Sequence, residues 1–304
     1  MEQAPQSTTE QGLRVAVRVR PASAREAKQT CLLQLDKTSL KFLGPECFSN
    51  TFSFDAIFEQ QDPQDRIFYD VESIVLSVLQ GFNGTICAYG QTGSGKTHTL
   101  FGDIGSSSTR GIVPRAMAAV CTGMASNTED CIFSVGMSVV EIYCEKIRDL
   151  LDTSNENLQV QQDRVRGVYL ANAHEAAVWS EAQLINRSLS ALGNVVNALT
   201  DGKATHVPYR DSKLTRVLQD SLGGTAKTAL IICCSPCMSN ASETLSSLRF
   251  GARAQGITNA VQSNACSIAG KDIANLLVAA RKDCDDLRSQ LILLEWRKFT
   301  TSLF

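Results

Sequence analysis

The sequence contains the octet Gly90-Gln91-Thr92-Gly93-Ser94-Gly95-Lys96-Thr97 directly after a short apolar segment, Gly84 to Tyr89. The octet fits the pattern G-x-x-x-x-G-K-[ST], in which glycines let consecutive backbone N–H groups turn inward around phosphate oxygens. The residues that follow favour a helix start, whose positive dipole end also attracts anions. This order of strand, loop and helix predicts a phosphate-binding loop in which Lys96 reaches the β- and γ-phosphates and Thr97 ligates Mg²⁺.

The segments on either side of the octet alternate between strand and helix patterns, which indicates an α/β fold. Leu13 to Arg20 alternates apolar and charged residues, as an edge or half-buried strand does. Ala229 to Cys234 is wholly apolar and predicts a buried parallel strand. The remaining predictions are two strands and three helices: Thr51 to Phe58 and Ile132 to Tyr143, then Asp65 to Gln80, Ala182 to Leu199 and Leu214 to Leu222.

Composition excludes several classes of protein. The chain has 304 residues, of which 43% are hydrophobic, and a net charge of -2, so it suits one large domain or two small ones rather than a disordered tail. A pI near 6.0 does not indicate a nucleic-acid partner. No apolar run reaches 18 residues and residues 1–12 are polar, so neither a membrane span nor a secretory signal is expected.

The 11 cysteines have no repeating spacing, which fits free thiols better than a disulfide scaffold. Cys234 and Cys237 form a C-x-x-C pair. His98, His174 and His206 are the only histidines, and they are not close in sequence. A structural place at a strand end is therefore the favoured interpretation of the pair, ahead of a metal or redox site.

Several runs together resemble the motor heads of kinesins, and the likeness extends from about Leu13 to Asn264. The octet with His98 and Thr99 resembles the kinesin version of the loop. The other runs are Arg18 to Pro21, Val140 to Leu151, Ile185 to Asn194, His206 to Arg216 and Leu245 to Ala254. The resemblance implies a P-loop NTPase-type, mostly parallel sheet flanked by helices, and an ATP- and Mg²⁺-dependent microtubule motor in the cytoplasm, on the cytoskeleton.

The resemblance also assigns roles to individual residues. In the family, the base of ATP is flanked by residues matching Arg18, Arg20, Pro21 and His98. An imidazole or a guanidinium plane can stack on a purine, which agrees with that role. The resemblance places the microtubule contact on a locally basic stretch: Lys203, His206, Arg210, Lys213 and Arg216. Without the neighbouring matches, the same cations would be interpreted as a solvated helix end.

The sequence departs from the family between Ala177 and Glu181. Kinesins carry there a long segment with a serine-rich first switch and an Asp-Leu-Ala-Gly second switch, and here Ala177 to Ser180 leads directly into Glu181. Asp220 to Gly223 has similar letters but ends a predicted helix rather than a strand, so no catalytic residue is assigned. Since the missing strands lie mid-sheet in the family, the sheet is expected to be incomplete in its middle.

The resulting division of the chain is a disordered N-terminus at 1–12, an internally truncated motor domain at 13–258, a neck linker at 259–270 and a neck helix at 271–304. The last segment has a heptad seam from Ile273 to Leu294, which fits either a helix packed on the domain or the start of a dimerising coiled coil. Two hypotheses follow: a kinesin motor impaired in hydrolysis, or a non-enzymatic microtubule-binding or coiled-coil interaction protein or isoform fragment. A small phosphotransferase is disfavoured because no acceptor-binding motif is visible.

Overall fold

The computed structural model describes residues 9–23, 26, 30–44, 49–103, 106–126, 138, 140–143, 145–149, 152, 154–163, 167–173 and 212–264. All of them belong to one of two contact units, the one formed by residues 1–131 and 136–264. The helix predicted at 182–199 and the neck helix predicted at 271–304 lie outside the described residues. Among the described helices, none is both long and apolar enough to cross a membrane.

A four-stranded parallel sheet forms the centre of this unit, with the strand order β6-β2-β12-β7. The strands are β2 (Arg14–Val19), β6 (Ala56–Phe58), β7 (Gly84–Tyr89) and β12 (Lys227–Cys234). The prediction of a buried parallel strand at Ala229 to Cys234 is confirmed, because β12 pairs in parallel with β2 and β7. Since all four strands run the same way, their carboxyl ends meet at one edge, where α/β proteins bind ligands.

Strand β2 is more buried than its alternating sequence predicts. It was expected to be an edge or half-buried strand, but it lies between β6 and β12 and is buried from Val15 to Val19. The expectation fails because the charges on this strand are satisfied by protein groups rather than by water. Arg14 forms an ion pair with Asp70, and Arg18 is hydrogen-bonded inside the fold.

The segment Thr51 to Phe58, predicted as one strand, contributes to two sheets. Its first part belongs to β5 (Ser49–Ser53), which joins β3 (Leu32–Gln34) and β4 (Ser39–Leu43) in an antiparallel sheet. Its second part is β6. Asp55 separates them: its carboxylate accepts the N–H of Val15 at 2.6 Å, and its own N–H donates to the Val15 carbonyl at 3.0 Å. This pair of bonds redirects the chain from one sheet to the other.

Helices cover both faces of the parallel sheet, as predicted for an α/β fold. On one face α5 (Ala241–Ala254) packs Leu248 and Phe250 against Val17 and Ile232. On the other face α1 (Gln64–Ser77) packs Ile67 and Val71 against Ile231. The remaining helices are α2 (Lys96–Leu100), α3 (Ile112–Ser126) and α4 (Lys213–Val217). Because side chains alternate along β12, Ile231 and Ile232 enter opposite core clusters.

Two of the three predicted helices fall within the described residues, where both agree with the structure in position and differ in length. The helix predicted from Asp65 to Gln80 is α1 followed by a 3₁₀ turn, Val78–Gln80, and Gly81 ends it with φ 84°. The helix predicted from Leu214 to Leu222 is shorter, since α4 ends at Val217 and turns continue the chain. Cys234 ends β12 and Cys237 is buried nearby, which agrees with a structural role at a strand end.

The described residues also contain three two-stranded antiparallel sheets. Strand β1 (Thr9–Gly12) pairs antiparallel with β13 (Thr258–Val261). Residues 9–12 are therefore not part of a disordered N-terminus, and β13 crosses the boundary predicted at residue 258. Two antiparallel pairs follow: β8 (Val140–Tyr143) with β9 (Lys146–Asp149), and β10 (Gln159–Asp163) with β11 (Gly167–Ala171). Strand β8 lies at the end of the run predicted from Ile132.

Candidate functional site

The octet forms a loop between the carboxyl end of β7 and the start of α2. Gly90 has a φ of 151°, and a Cβ atom there would lie 2.2 Å from the carbonyl oxygen of Cys233, so only glycine allows the loop to leave β7 this close to β12. Gly95 adopts a left-handed conformation with φ 99° immediately before the first helical residue. Among residues 91–97, Ser94 alone has an N–H with a backbone partner in the described part of the chain.

Lys96 lies across the loop rather than in a salt bridge. Its ammonium donates to the carbonyl oxygens of Gly90 and Gln91, both at 2.8 Å. Burial lowers the pKa of this ammonium from its ordinary value, and no carboxylate in the described residues pairs with it. Two buried polar atoms of the same loop, Ser94 Oγ and Gln91 Oε1, have no hydrogen-bond partner among the described residues. The loop thus combines an uncompensated cation with polar groups left for a ligand.

Arg18 lies behind the loop, not on its open side. Its side chain is 9% exposed, and Nη1 donates to Gln64 Oε1 at 3.0 Å and to Thr99 Oγ1 at 2.9 Å. Gln64 Nε2 in turn donates to the carbonyl oxygen of His98 at 2.7 Å. Thr99 Oγ1 donates to the carbonyl oxygen of Gly95 at 2.9 Å. We call Arg18, Gln64 and Thr99 the buried clamp, because together they tie β2 and α1 to the helix that follows the loop.

The other three residues predicted to flank the base occupy the same edge of the sheet. Arg20 follows β2, and its guanidinium binds both carboxylate oxygens of Glu26, at 2.9 and 2.7 Å, and Ser235 Oγ at 3.1 Å. A Cβ atom on Gly95 would lie 3.6 Å from Cβ of Arg20, so this arginine lies directly beside the loop. Pro21 and His98 are exposed. Although His98 is exposed overall, partial burial of its imidazole, followed by the charge of Arg18, lowers its pKa. This favours the neutral imidazole.

Two of the five residues predicted to contact microtubules are described, and both lie on α4. Lys213 begins the helix and is partly exposed, and Arg216 binds Gln219 and, at 2.9 Å, Gln162 Oε1 of β10. Glu145 holds the start of the helix: its carboxylate accepts from Ser212 Oγ at 3.0 Å and from the Lys213 N–H at 2.6 Å. Lys203, His206 and Arg210 lie outside the described residues.

The profile of the kinesin motor domain family matches residues 18–181 and 173–257. This chain belongs to the kinesin motor-domain family. The kinesin heavy chain of Syncephalastrum racemosum is 36% identical over 363 residues, which covers 93% of this chain and 39% of that protein. Human kinesin-1 heavy chain is 36% identical over 330 residues, which covers 83% of this chain and 34% of its own length.

The fold agrees with this membership. A solved structure of a fast kinesin superimposes with a TM-score of 0.77 at 33% identity, covering 85% of this chain and 95% of that one. The predicted resemblance and the α/β fold of the P-loop type are therefore confirmed. Because this chain spans little more than a third of the two heavy chains, its likeness concerns their motor domain.

The kinesin loop extends from β7, whose side opposite β12 we call the open flank because no described strand pairs there. Among the described residues no strand pairs with the edge of β7 opposite β12, and Thr85 to Tyr89 are only half-buried. Tyr89 is stacked on Phe250 with the ring centroids 4.0 Å apart, which anchors the strand on its α5 side. The sheet is complete from β6 to β7 and stops there within the described part of the chain.

Sequence reasoning missed the residues that hold this site together. Gln64 is, with Ser77, one of two polar residues on the buried and mostly apolar face of α1, a signal that a buried hydrogen-bond partner was needed. Thr99 is fully buried two residues after the octet. Glu145 has a positive φ of 59°, unusual for a residue with a side chain. The hydrogen bonds of Gln64 with His98, of Glu145 with Lys213 and of Thr99 with Arg18 span 34, 68 and 81 residues, beyond the reach of a local pattern.

Proposed function

We propose that this chain is a kinesin-type motor head that binds ATP and Mg²⁺ at the loop Gly90 to Thr97 and binds microtubules, but has lost hydrolysis. The observation that carries the proposal is the loop itself. Its positive-φ glycines and its lysine lie at the carboxyl edge of a parallel sheet, within residues that match the kinesin motor domain family. Anions bind at such helix starts because of the N–H groups and the helix dipole.

The residues of the loop fit a magnesium-bound triphosphate. Lys96 supplies a cation without a carboxylate partner, and the phosphate oxygens would replace the two carbonyl oxygens it now binds. Ser94 Oγ would gain the hydrogen-bond partner that it lacks. The exposed Thr97 hydroxyl at the start of α2 would hold the metal ion, which neutralises phosphate charge. The base would lie towards Arg20, Pro21 and His98, on the open side of the loop.

The loss of hydrolysis rests on the segment around Ala177 to Glu181. The kinesin profile matches in two overlapping stretches, 18–181 and 173–257, and this interruption near residues 173–181 supports the proposal that the switch segment is missing there. The alignment with the Syncephalastrum kinesin runs over 363 residues although this chain has 304, so the relative carries residues where this chain has none. The open flank of β7 also agrees with missing neighbouring strands.

The microtubule surface is proposed to be the basic stretch that includes α4. Its members are Lys203, His206, Arg210, Lys213 and Arg216, and cations grouped in sequence suit an acidic filament. Glu145 fixes the start of α4, so the two described cations are presented on an ordered helix. The chain would then work in the cytoplasm on the cytoskeleton, and the heptad seam in 271–304 would provide self-association.

A second candidate function is a non-enzymatic microtubule-binding or coiled-coil interaction protein. The observation in its favour is the same break in the kinesin match, because a head without switches has no means to close on the γ-phosphate. The two functions differ at the loop. A pure interaction protein has no use for nucleotide, so its filament binding would not depend on Lys96.

Nucleotide binding to the full chain tests the proposal. A fluorescent ATP analogue should bind wild type, and Lys96→Ala should abolish binding by removing the charge partner of the phosphates. Lys37→Ala, at an exposed lysine between β3 and β4, should bind like wild type. ADP and ATP should bind similarly, because no group is left to sense the γ-phosphate. Equal binding by wild type and Lys96→Ala would refute the site.

A further inference from the structure

We infer that Arg18 is a positioning residue for the phosphate loop, which acts through the buried clamp to set the affinity for the phosphates of a nucleotide and not for its base. The inference rests on the proposed function, since it concerns the same loop. It departs from the role that the family resemblance gives to Arg18, which is to flank the base.

The hydrogen bonds place the clamp on both sides of the loop's functional residues. Thr99 Oγ1 accepts from Arg18 and donates to the carbonyl of Gly95, the residue before Lys96. Gln64 accepts from Arg18 and donates to the carbonyl of His98, the residue after Thr97. The backbone that carries Lys96 and Thr97 is therefore held at both ends by two side chains that share one guanidinium.

Burial makes this arrangement stiff. The exposed fractions are 9% for Arg18, 4% for Gln64 and 0% for Thr99, so water is not available to replace a lost bond. Arg18 has no ion pair among the described residues, and its charge is met there by neutral oxygens. A buried guanidinium without a carboxylate is costly by itself, and an anion on the neighbouring loop would compensate it.

The clamp and Arg20 have separate sets of contacts, and among the described residues the clamp reaches the base side at the backbone carbonyl of His98. Arg20 is held by Glu26 and Ser235, and neither residue touches the clamp through a hydrogen bond in the described part of the chain. Removing Arg18 would loosen the start of α2 and misalign the N–H groups of the loop, while Arg20 would keep its position. The expected defect is therefore selective for phosphate contacts.

Affinity ratios measure that selectivity. We would titrate ADP, AMP and GDP against the full chain and compare Arg18→Met and Thr99→Val with wild type. The ADP-to-AMP affinity ratio, which reports on the phosphates, should fall about tenfold in both variants, the size expected for losing a hydrogen bond to a charged group. The ADP-to-GDP ratio, which reports on the base, should stay at the wild-type value. Thr99→Ser keeps the hydroxyl and should restore the ADP-to-AMP ratio.

Arg14→Met is the matched control, because Arg14 lies on the same strand and binds Asp70, away from the loop. It should leave both ratios unchanged. A fall in the ADP-to-GDP ratio in Arg18→Met, with the ADP-to-AMP ratio retained, would overturn the inference in favour of a base contact. Lower thermal stability with both ratios retained would show a purely structural role. Should Arg18→Met not fold, the pair Thr99→Val and Thr99→Ser decides alone. A wild type that binds no ADP would instead overturn the proposed function.

Discussion

Strands β12 and β7 are neighbours in one parallel sheet, yet they differ in burial. From Ala229 to Cys234 no residue of β12 is more than 5% exposed, whereas Thr85 to Tyr89 of β7 are only half-buried. Strands of parallel sheets are normally covered on both faces. The phosphate loop extends from the less covered strand. Its shape depends on the covered side, where Gly90 lies against Cys233 and the buried clamp holds α2. We therefore expect this chain to bind nucleotide without hydrolysing it.

The largest effect should come from inserting the switch segment whose loss we propose. Hydrolysis needs an in-line water, a neutralised γ-phosphate and a closing loop, and the kinesin switch segment provides these parts. Wild type should show no microtubule-stimulated ATPase, and it should melt broadly or aggregate, because the proposed loss of that segment removes strands from the sheet. Inserting a typical kinesin switch segment between Ala177 and Glu181 should create activity and sharpen the melt together, as measured by phosphate release and calorimetry.

A scrambled segment of the same length is the control for that insertion and should restore neither property. Recovery of a sharp melt without activity would mean that the phosphate loop is defective as well. Microtubule-stimulated turnover by the unmodified chain would contradict the loss of hydrolysis directly.

The second effect concerns the basic stretch that includes α4, which is not part of the parallel sheet. Charge reversal at Arg210, Lys213 and Arg216 together should weaken co-sedimentation with microtubules by about tenfold or more, since each cation attracts an acidic surface. Residual binding should fall steeply with salt, because exposed charges are screened over about 8 Å at physiological ionic strength. Reversal at three exposed cations elsewhere, Lys37, Arg66 and Arg110, is the control. If the first triple variant pellets like wild type at every salt concentration, α4 is not part of the contact.

Local patterns predicted the loop and most of the sheet because each depends on neighbouring residues. Glycine spacing specified the loop, and the apolar run from Ala229 specified β12. The burial predicted for β2 was wrong, because an alternating charged strand looks solvated unless its partners are known. Asp70 and Gln64, which satisfy Arg14 and Arg18, lie 56 and 46 residues away. The clamp was missed for the same reason.

The third effect compares the two strands themselves. Ile232 on β12 is 0% exposed, so Ile232→Val should cost about 1 kcal/mol of unfolding free energy. Ile86 on β7 is half-buried. Ile86→Val should therefore cost less, about 0.3 kcal/mol, because less apolar area is lost from the core. Native-state hydrogen exchange at the amides of β12 and β7, which does not need a cooperative transition, measures the difference in both variants. In the chain with the inserted segment, the cost at Ile86 should rise towards that at Ile232. Equal costs in the unmodified chain would show that β7 is already covered.

The smallest effect should come from the ion pair of Arg20 with Glu26, next to the proposed position of the base. The hydrogen bonds from Arg20, followed by that from Ser23, lower the pKa of Glu26 from 4.5 to about 2. A carboxyl whose pKa is lower in the folded state stabilises the fold above its unfolded pKa, and this contribution is lost as the pH falls from 4.5 to about 2. The gain should be small, because exposed ion pairs are screened by water and salt. Wild type should therefore exceed Glu26→Gln slightly in unfolding free energy near neutral pH, and the difference should vanish towards pH 2. A difference that persists unchanged in acid would mean that Glu26 acts through shape rather than charge. In that case the base side of the loop would not need this ion pair to hold Arg20 in place.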